Sequence, residues 1–378
     1  MSGIGRLRTL VTLLTQHRAG EQKENRLSDT ITPGTRAATI RDVAALAGVS
    51  IGTASKALNG RGKLRPETRE RVAAAARQLG FQPNTLARGL LRGRTFTVGL
   101  VTSDSFGRFS IPVMLGAEDA LGAGQISVFM CDTRDDPIRE RHQVQTLLAR
   151  RVDGILVTGR RTEPRPSIGT DLPVPVVYAM TQSADPNDFS VIPDDIGGGE
   201  LAVRHLLATG RTRIGHITGP QRFLAARQRA DGMAKVLDDA GLQAAGGAAF
   251  FGEWSEEWGR QGADILLRTQ PDVDAIFCGA DQIARGVAET LRERGRRIPD
   301  DVAVIGFDNW EAMALGSRPP LTTVDMNLHK VGRVAADHLL AAIGGQPIGG
   351  GVEEVECELV LRESTGPISQ PLTPDPND

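Results

Sequence analysis

The sequence predicts an α/β protein: a small all-α helix-turn-helix module, then a core of two doubly wound parallel-sheet halves. Three observations carry this prediction. Two short helical patterns joined by a glycine-containing turn begin at Thr39. From Thr95 onward, short β-rich runs alternate with helical stretches, the pattern of parallel sheets flanked by helices. The length of 378 residues suits two or three domains, and the strands are too many for one small sheet, so two halves with a cleft between them follow.

A hydrophobic fraction of 40% with 24% charged residues is that of a soluble globular chain, neither disordered nor collagenous. No apolar run reaches the roughly 18 residues needed to span a bilayer, which excludes an integral membrane protein and a membrane partner. Cys131, Cys278 and Cys357 lie far apart, with no disulfide framework and no CxxC metal spacing, which fits a reducing cytoplasm. The formal net charge of −2 is an average over opposed parts. Between Arg36 and Arg94, twelve Lys and Arg face only Asp42, Glu67 and Glu70, a net +9. Residues 1–35 carry +2, which leaves −13 for the remainder. A basic segment of this size reads either as a polyanion binder or as a solvated basic surface, and charge alone leaves both open.

Residues 1–38 read as a mostly disordered extension, polar from Glu21 to Thr35 with Pro33-Gly34. Arg6 and Arg8 ahead of Leu10 to Leu14 have the look of a secretory leader, but the apolar stretch is too short and lacks a small-residue cleavage site. The helix-turn-helix domain is placed at 39–82. Thr39 and Asp42 have the spacing of a capping box. Ile40, Val43, Ala44, Leu46 and Ala47 then form an apolar helical face. Gly48 ends that helix, Val49 is the buried turn residue, and Ser50 can cap a second helix from Ile51 to Leu58. Gly52, Thr53, Ala54 and Ser55 keep one side of it small enough to sit deep in a major groove. A third helix starts at Pro66, runs through Arg69, Val72, Ala76 and Leu79, and stops at Gly80 before Phe81 plugs the small core. After Pro83, Asn84 can cap a short segment through Leu91, which Gly89 leaves marginal unless something holds it.

Ile40-Arg41-Asp42-Val43-Ala44, Ala47-Gly48-Val49-Ser50, Thr53-Ala54-Ser55-Lys56-Ala57-Leu58-Asn59, and Pro83-Asn84 with Ala87-Arg88 and Leu90 resemble the lactose/galactose repressor (LacI/GalR) family. The resemblance covers about residues 39–366. It implies a DNA-binding domain, a hinge helix and linker at 83–94, and a periplasmic-binding-protein-like core at 95–366 that binds an effector and dimerises. It implies that Ile51, Gly52 and Lys56 occupy the base-reading positions of the recognition helix. Lys56 stands where the family often has Arg and lacks its planar fork; Gly52 cannot read a base by side chain, so the operator sequence stays open. Ser50, Thr53, Ser55 and Asn59 suit phosphate contacts, with capping the alternative role for Ser50, and Thr39 is counted among the DNA-binding residues. Asn84, Ala87 and Arg88 belong to the hinge, and Leu90 matches the leucine that wedges into a minor-groove step.

In the core the strand-like runs are Phe96–Thr102, Ile126–Asp132, Gly154–Thr158, Val174–Ala179, Arg213–Thr218, Ala248–Phe251, Ala275–Cys278 and Val302–Phe307. Helical runs fill the gaps at Pro112–Ala123, Pro137–Arg150, Gly198–Ala208, Arg222–Ala240, Glu256–Arg268, Gln282–Arg294 and Leu328–Ala342, and a final strand lies near Glu354–Leu361. Ligands in such sheets bind outside the carboxyl ends of the strands. The resemblance places effector contacts at Asp308, at Arg229 and at Trp254, an aromatic that packs against a sugar. Asp and Arg together can clamp vicinal hydroxyls, one accepting and one donating; a structural ion pair is the alternative. Asp281 fits a ligand contact or an N-cap. Met326 and Leu328 replace a polar residue and an aromatic of the family, Ala280 replaces an Asn, and Asp104, Phe106 and Arg108 stand in the first-strand loop where they could line the cleft. Trp258 reads as ordinary packing.

A solute-binding protein would share the core without the basic module. An enzyme would need chemistry the sequence does not offer: there is no P-loop, no GxGxxG after the first strand, no HExxH and no GxSxG. Gly197-Gly198-Gly199 reads as a helix start, not a phosphate cradle, and the six histidines lack metal spacing, so neither metal nor cofactor is expected. The expectation is a cytoplasmic, effector-controlled repressor of pseudo-palindromic operator DNA, its half-sites about 10 bp apart, with a sugar the favoured effector and a purine the alternative. The tail at 367–378 has no heptads, which predicts a homodimer and not a zipper-built tetramer.

Overall fold

The computed structural model describes residues 38–58, 62–81, 95–122 and 126–367. The extension ahead of Ala38, the expected DNA contacts Asn59, Asn84, Ala87, Arg88 and Leu90, the hinge segment and the tail from residue 368 lie outside the described residues. The chain divides into two compact units between Thr85 and Leu86.

The first unit contains α1 (Ile40–Leu46), α2 (Ile51–Leu58) and α3 (Pro66–Gln78). The Asp42 carboxylate accepts from the Thr39 amide and hydroxyl, both at 2.7 Å, and starts α1. Gly48 turns the chain at φ 63°. Val43, Ala44, Ala54, Val72 and Ala76 form the core, with Val49 and Phe81 packed against it. Leu46, expected on the buried face, is 46% exposed. At 3.6 residues per turn it lies roughly 110° from the centre of the arc set by Ile40, Val43, Ala44 and Ala47.

In the second unit the amino-terminal half is built from β1 (Thr97–Thr102), α4 (Ser110–Ala120), β2 (Ser127–Asp132), α5 (Pro137–Ala149), β3 (Gly154–Thr158), β4 (Pro164–Arg165), β5 (Val176–Ala179), β6 (Gln182–Ser183) and β7 (Phe189–Pro193). The carboxy-terminal half follows with α6 (Asp195–Ala208), β8 (Ile214–Thr218), α7 (Leu224–Asp239), β9 (Phe250–Phe251), α8 (Glu256–Thr269), β10 (Ala275–Cys278), α9 (Asp281–Glu293), β11 (Ala303–Phe307), α10 (Glu311–Ala314) and β12 (Thr322–Asp325). The chain then returns with α11 (Leu328–Ile343) and β13 (Gly351–Val355) to the first half, and with β14 (Glu358–Val360) to the second. The main sheets run β13-β7-β5-β3-β1-β2 and β14-β12-β11-β10-β8-β9, parallel except for β14, which is antiparallel to β12.

Two differences from the sequence pattern matter. The expected final strand at Glu354–Leu361 is two strands, β13 and β14, on different sheets, because Glu356-Cys357 is a crossover between the halves. The runs Phe189–Pro193 and Thr322–Asp325 are strands that the pattern did not reveal. Both are short, and both carry Ser or Thr at buried positions that mask their β character.

The halves are joined by three crossovers, at Asp194, at Met326-Asn327 and at Glu356-Cys357. Hydrogen bonds stitch these together. The Asp194 amide donates to the Val355 carbonyl at 2.9 Å, and the Asn327 side-chain amide donates to the Glu356 carbonyl at 2.8 Å. Apolar layers cover both faces of each sheet. Leu100, Leu156, Phe277 and Phe307 belong to the largest cluster; Val144, Leu147 and Ile155 back the first sheet, and Ile217, Leu266 and Val287 back the second.

One packing device recurs. Helix pairs α4–α11, α6–α7 and α8–α9 each meet glycine to backbone. A side-chain carbon at Gly116 or Gly332, at Gly199 or Gly232, or at Gly259 or Gly286 would run into a carbonyl oxygen of the facing helix. Gly332→Ala is therefore expected to force α11 off α4 and to lower stability by about 1–3 kcal/mol, read as a reduced urea midpoint with an unchanged slope.

Candidate functional site

In each sheet the chain leaves the first strand towards one edge and returns on its other side. The carboxyl ends of β1 and β3, and of β8 and β10, therefore open into crevices. The segments that follow β1, β3, β8, β10 and β11 converge on a cavity of about 240 Å³ between the halves.

Arg229, on α7, lies buried in its wall. Its Nε donates to Asp195 Oδ1 at 2.8 Å, and its Nη1 donates to the Gly279 carbonyl at 2.5 Å and to Asp308 Oδ1 at 3.3 Å. Its Nη2 reaches Met326 Sδ at 3.6 Å, and the guanidinium lies 3.7 Å from the Phe307 ring centroid. Burial pulls its pKa down, and Asp195 and Asp308 more than offset this, so the group stays firmly charged. Burial pushes the Asp195 carboxyl upward while Arg229 pulls it back. Asp308 follows β11 with φ 103°, a left-handed backbone that a side chain disfavours. Its second oxygen pairs with Arg108 of the amino-terminal half, whose guanidinium lies 4.2 Å from the Trp310 ring centroid and 4.8 Å from that of Phe109. The ion pair between Arg229 and Asp308 thus lies within one half, and the pair that crosses the cleft is made by Arg108.

The aromatic wall is set by Trp254, which lies so close over Gly219 that no side chain could stand there. Phe223 stacks beside it at 6.4 Å between centroids and 26° between planes. An aromatic face flanked by fixed donors and acceptors offers apolar contact to one side of a small polar ring and hydrogen bonds to its hydroxyls.

Of the residues singled out from sequence, Arg229, Trp254 and Asp308 line this cavity, as does Arg108. Met326 packs against Arg229 and lines a neighbouring cavity of about 490 Å³ with Arg108 and Trp310. Phe106 does not join them: it is 91% exposed, and Phe109 lines the cleft in its place. The reason is the start of α4. Asp104 is buried and accepts from the amides of Phe109 and Ser110 at 2.7 and 2.9 Å, so the helix begins two residues before Pro112 and turns Phe109 inward. Asp281 is buried and does not line this cavity; its carboxyl accepts from the Trp310 amide and the Thr323 hydroxyl at 2.6 Å each. Burial, and then the charge of Asp308, push its pKa up to about 8. Trp258 donates to the Thr218 carbonyl at 2.8 Å and packs in the core. Sequence reasoning missed Arg160, Arg161, Thr162, Glu163, Phe223 and Gln282 in the lining. The first four directly follow β3, and the rule of strand carboxyl ends would have found them.

In the first unit Ala54 is buried in the core, which turns the other side of α2 outward. Ile51, 49% exposed, stands there with Gly52 and Lys56, while Thr53 and Ser55 are half-buried. Ser50 caps the helix, its Oγ accepting from the Thr53 amide at 3.1 Å.

Residues 39–84 match the family "Bacterial regulatory proteins, lacI family", and residues 203–365 match "Periplasmic binding protein-like domain". The chain is 34% identical over 337 residues to the HTH-type transcriptional regulator CelR of Thermobifida fusca, across 87% of this chain and 98% of that protein. The chain belongs to the LacI family of bacterial regulatory proteins. This LacI-family chain is also 30% identical to the HTH-type transcriptional repressor PurR of Aliivibrio salmonicida, over 86% of this chain and 98% of the relative. It is 31% identical to the ribose operon repressor of Halalkalibacterium halodurans, over 86% and 97%. Among solved structures it resembles the CelR–cellobiose complex, with a TM-score of 0.61 and 33% identity over 86% of this chain and 99% of that one. The lac repressor dimer bound to operator and the anti-inducer ONPF gives a TM-score of 0.66 and 27% identity over 88% and 100%. The expected family and fold class hold: a helix-turn-helix domain and a core of two parallel-sheet halves.

Two predictions follow from the buried charges. Arg229→Met leaves Asp195 buried without its partner and is expected to cost about 3–5 kcal/mol in urea unfolding. For Asp281, the folded chain keeps a proton that the unfolded chain loses near the ordinary carboxylate pKa, so its contribution to stability falls as pH rises from about 4 towards 8. Asp281→Asn should flatten that slope, making the variant more stable relative to wild type at pH 8 than at pH 5.

Proposed function

We propose that this chain is a cytoplasmic transcriptional repressor that binds a pseudo-palindromic operator as a homodimer and changes its operator affinity when a sugar enters the cleft of the core. The observation that carries the sugar reading is the convergence of Trp254, Phe223, Arg229 and Asp308 on one cavity. The relative solved with cellobiose and the lac repressor solved on its operator support the same reading. Among the described residues no helix is long and apolar enough to cross a membrane.

On this reading Ile51, Gly52 and Lys56 approach base edges, and Thr39, Ser50, Thr53, Ser55 and Asn59 approach phosphates. Asn84, Ala87 and Arg88 form the hinge, with Leu90 the minor-groove wedge. Arg229, Trp254, Asp308 and Met326 hold the effector, joined by Phe109. The homodimer forms through the core, where Ile111 and Leu115, four residues apart on α4, are exposed apolar side chains for a second copy to cover.

The direct test is a gel shift with the DNA upstream of the gene, with and without sugars. Lys56→Ala is expected to weaken operator binding by about 1–3 kcal/mol and to relax base preference. Leu90→Ala should weaken operator binding far more than binding to unrelated DNA, titrated at fixed salt; equal loss on both would refute the wedge.

A further inference from the structure

We infer that the sugar taken by this cleft is anionic: it carries a carboxylate or phosphate group that Arg161 and Arg160 receive. The inference rests on the sugar reading proposed above and assigns that ligand a charge class. Four arginines line the cavity, Arg108, Arg160, Arg161 and Arg229, against the carboxylates of Glu163 and Asp308. The internal pairing is uneven. Arg229 is matched by Asp195 and Asp308, and Arg108 shares Asp308. Glu163 is engaged by the Leu224 amide, 2.6 Å from its Oε1. Among the described residues Arg160 has only the exposed Asp135, at 3.5 Å. Arg161 makes no ion pair among the described residues; its guanidinium is 4.8 Å from the centroid of the Phe223 ring.

A planar guanidinium fork held on an aromatic face is a donor set that receives a carboxylate or phosphate in bidentate fashion. An adjoining cavity of about 440 Å³ shares Arg160, Arg161 and Glu163 and lies at the carboxyl ends of β1 and β3. The charged end of the ligand therefore sits where the two cavities meet, with its ring on Trp254.

The test uses the full chain, wild type and Arg161→Gln, in calorimetric titrations. One series is neutral: glucose, galactose and cellobiose. The matched series is anionic: glucuronate, galacturonate, cellobionate and glucose 6-phosphate. Wild type is expected to bind a member of the anionic series at least about tenfold tighter than its neutral counterpart, with an affinity that falls as salt rises. Arg161→Gln should erase that preference and leave the thermal midpoint of the unliganded chain unchanged. The tighter of the carboxylate and phosphate probes identifies which anion is read. Equal affinity for the two series, or an anion preference that survives in Arg161→Gln, overturns the inference while leaving the sugar reading intact. Binding of neither series by a chain that still shifts operator DNA overturns the sugar reading and this inference with it.

Discussion

One buried guanidinium organises the core. Arg229 cannot be held inside the protein without partners, because an unpaired charge there costs far more than folding can spare. It takes those partners from four places: the start of α6 at Asp195, next to the first crossover, the end of β10 at Gly279, the loop after β11 at Asp308 and the second crossover at Met326. Asp308 then passes the constraint on to Arg108 of the other half. The segments about which the halves would pivot and the side chains that would hold a ligand are therefore one electrostatic unit. A ligand that competes for Asp308 acts on the contact between halves and on the crossovers at once. That is the differential interaction a two-state sensor requires.

The parts of this structure that were legible in the sequence are those fixed by neighbours in the chain. The limits of α2, the turn at Gly48 and the start of α3 at Pro66 depend on residues within one or two turns, and the pattern located them. The strands β3 and β10 stood out because their apolar runs are continuous. β7 and β12 did not, because Ser190 and the pair Thr322-Thr323 are polar residues buried by long-range packing. In the site, Trp254, Arg229 and Asp308 were found through family motifs, whereas the error at Phe106 came from a local cap. Asp104 decides the register of the loop, and nothing in the spacing alone says which of two phenylalanines turns inward. Asp281 shows the opposite limit. It opens a helix as expected, but its role is set by Thr323 and Trp310, contacts remote in sequence.

The three glycine-mediated helix pairs serve the same end as the charges. Each brings two helix backbones so close that their relative position has little slack, and each pair covers one face of a sheet. The two halves are thus stiff bodies, and freedom is left to the crossovers and the cleft side chains. On the proposed reading this division lets a small change in how Asp308 is paired become a change in the attitude of one half to the other.

The order of the chain has a further consequence for biogenesis. The amino-terminal half lacks α11 and the edge strand β13 until residues 328–355 have left the ribosome. The helix-turn-helix, encoded ahead of the core, needs only its own three helices for its core and is complete long before. The nascent protein thus acquires its helix-turn-helix while the amino-terminal half of the core is still an open sheet.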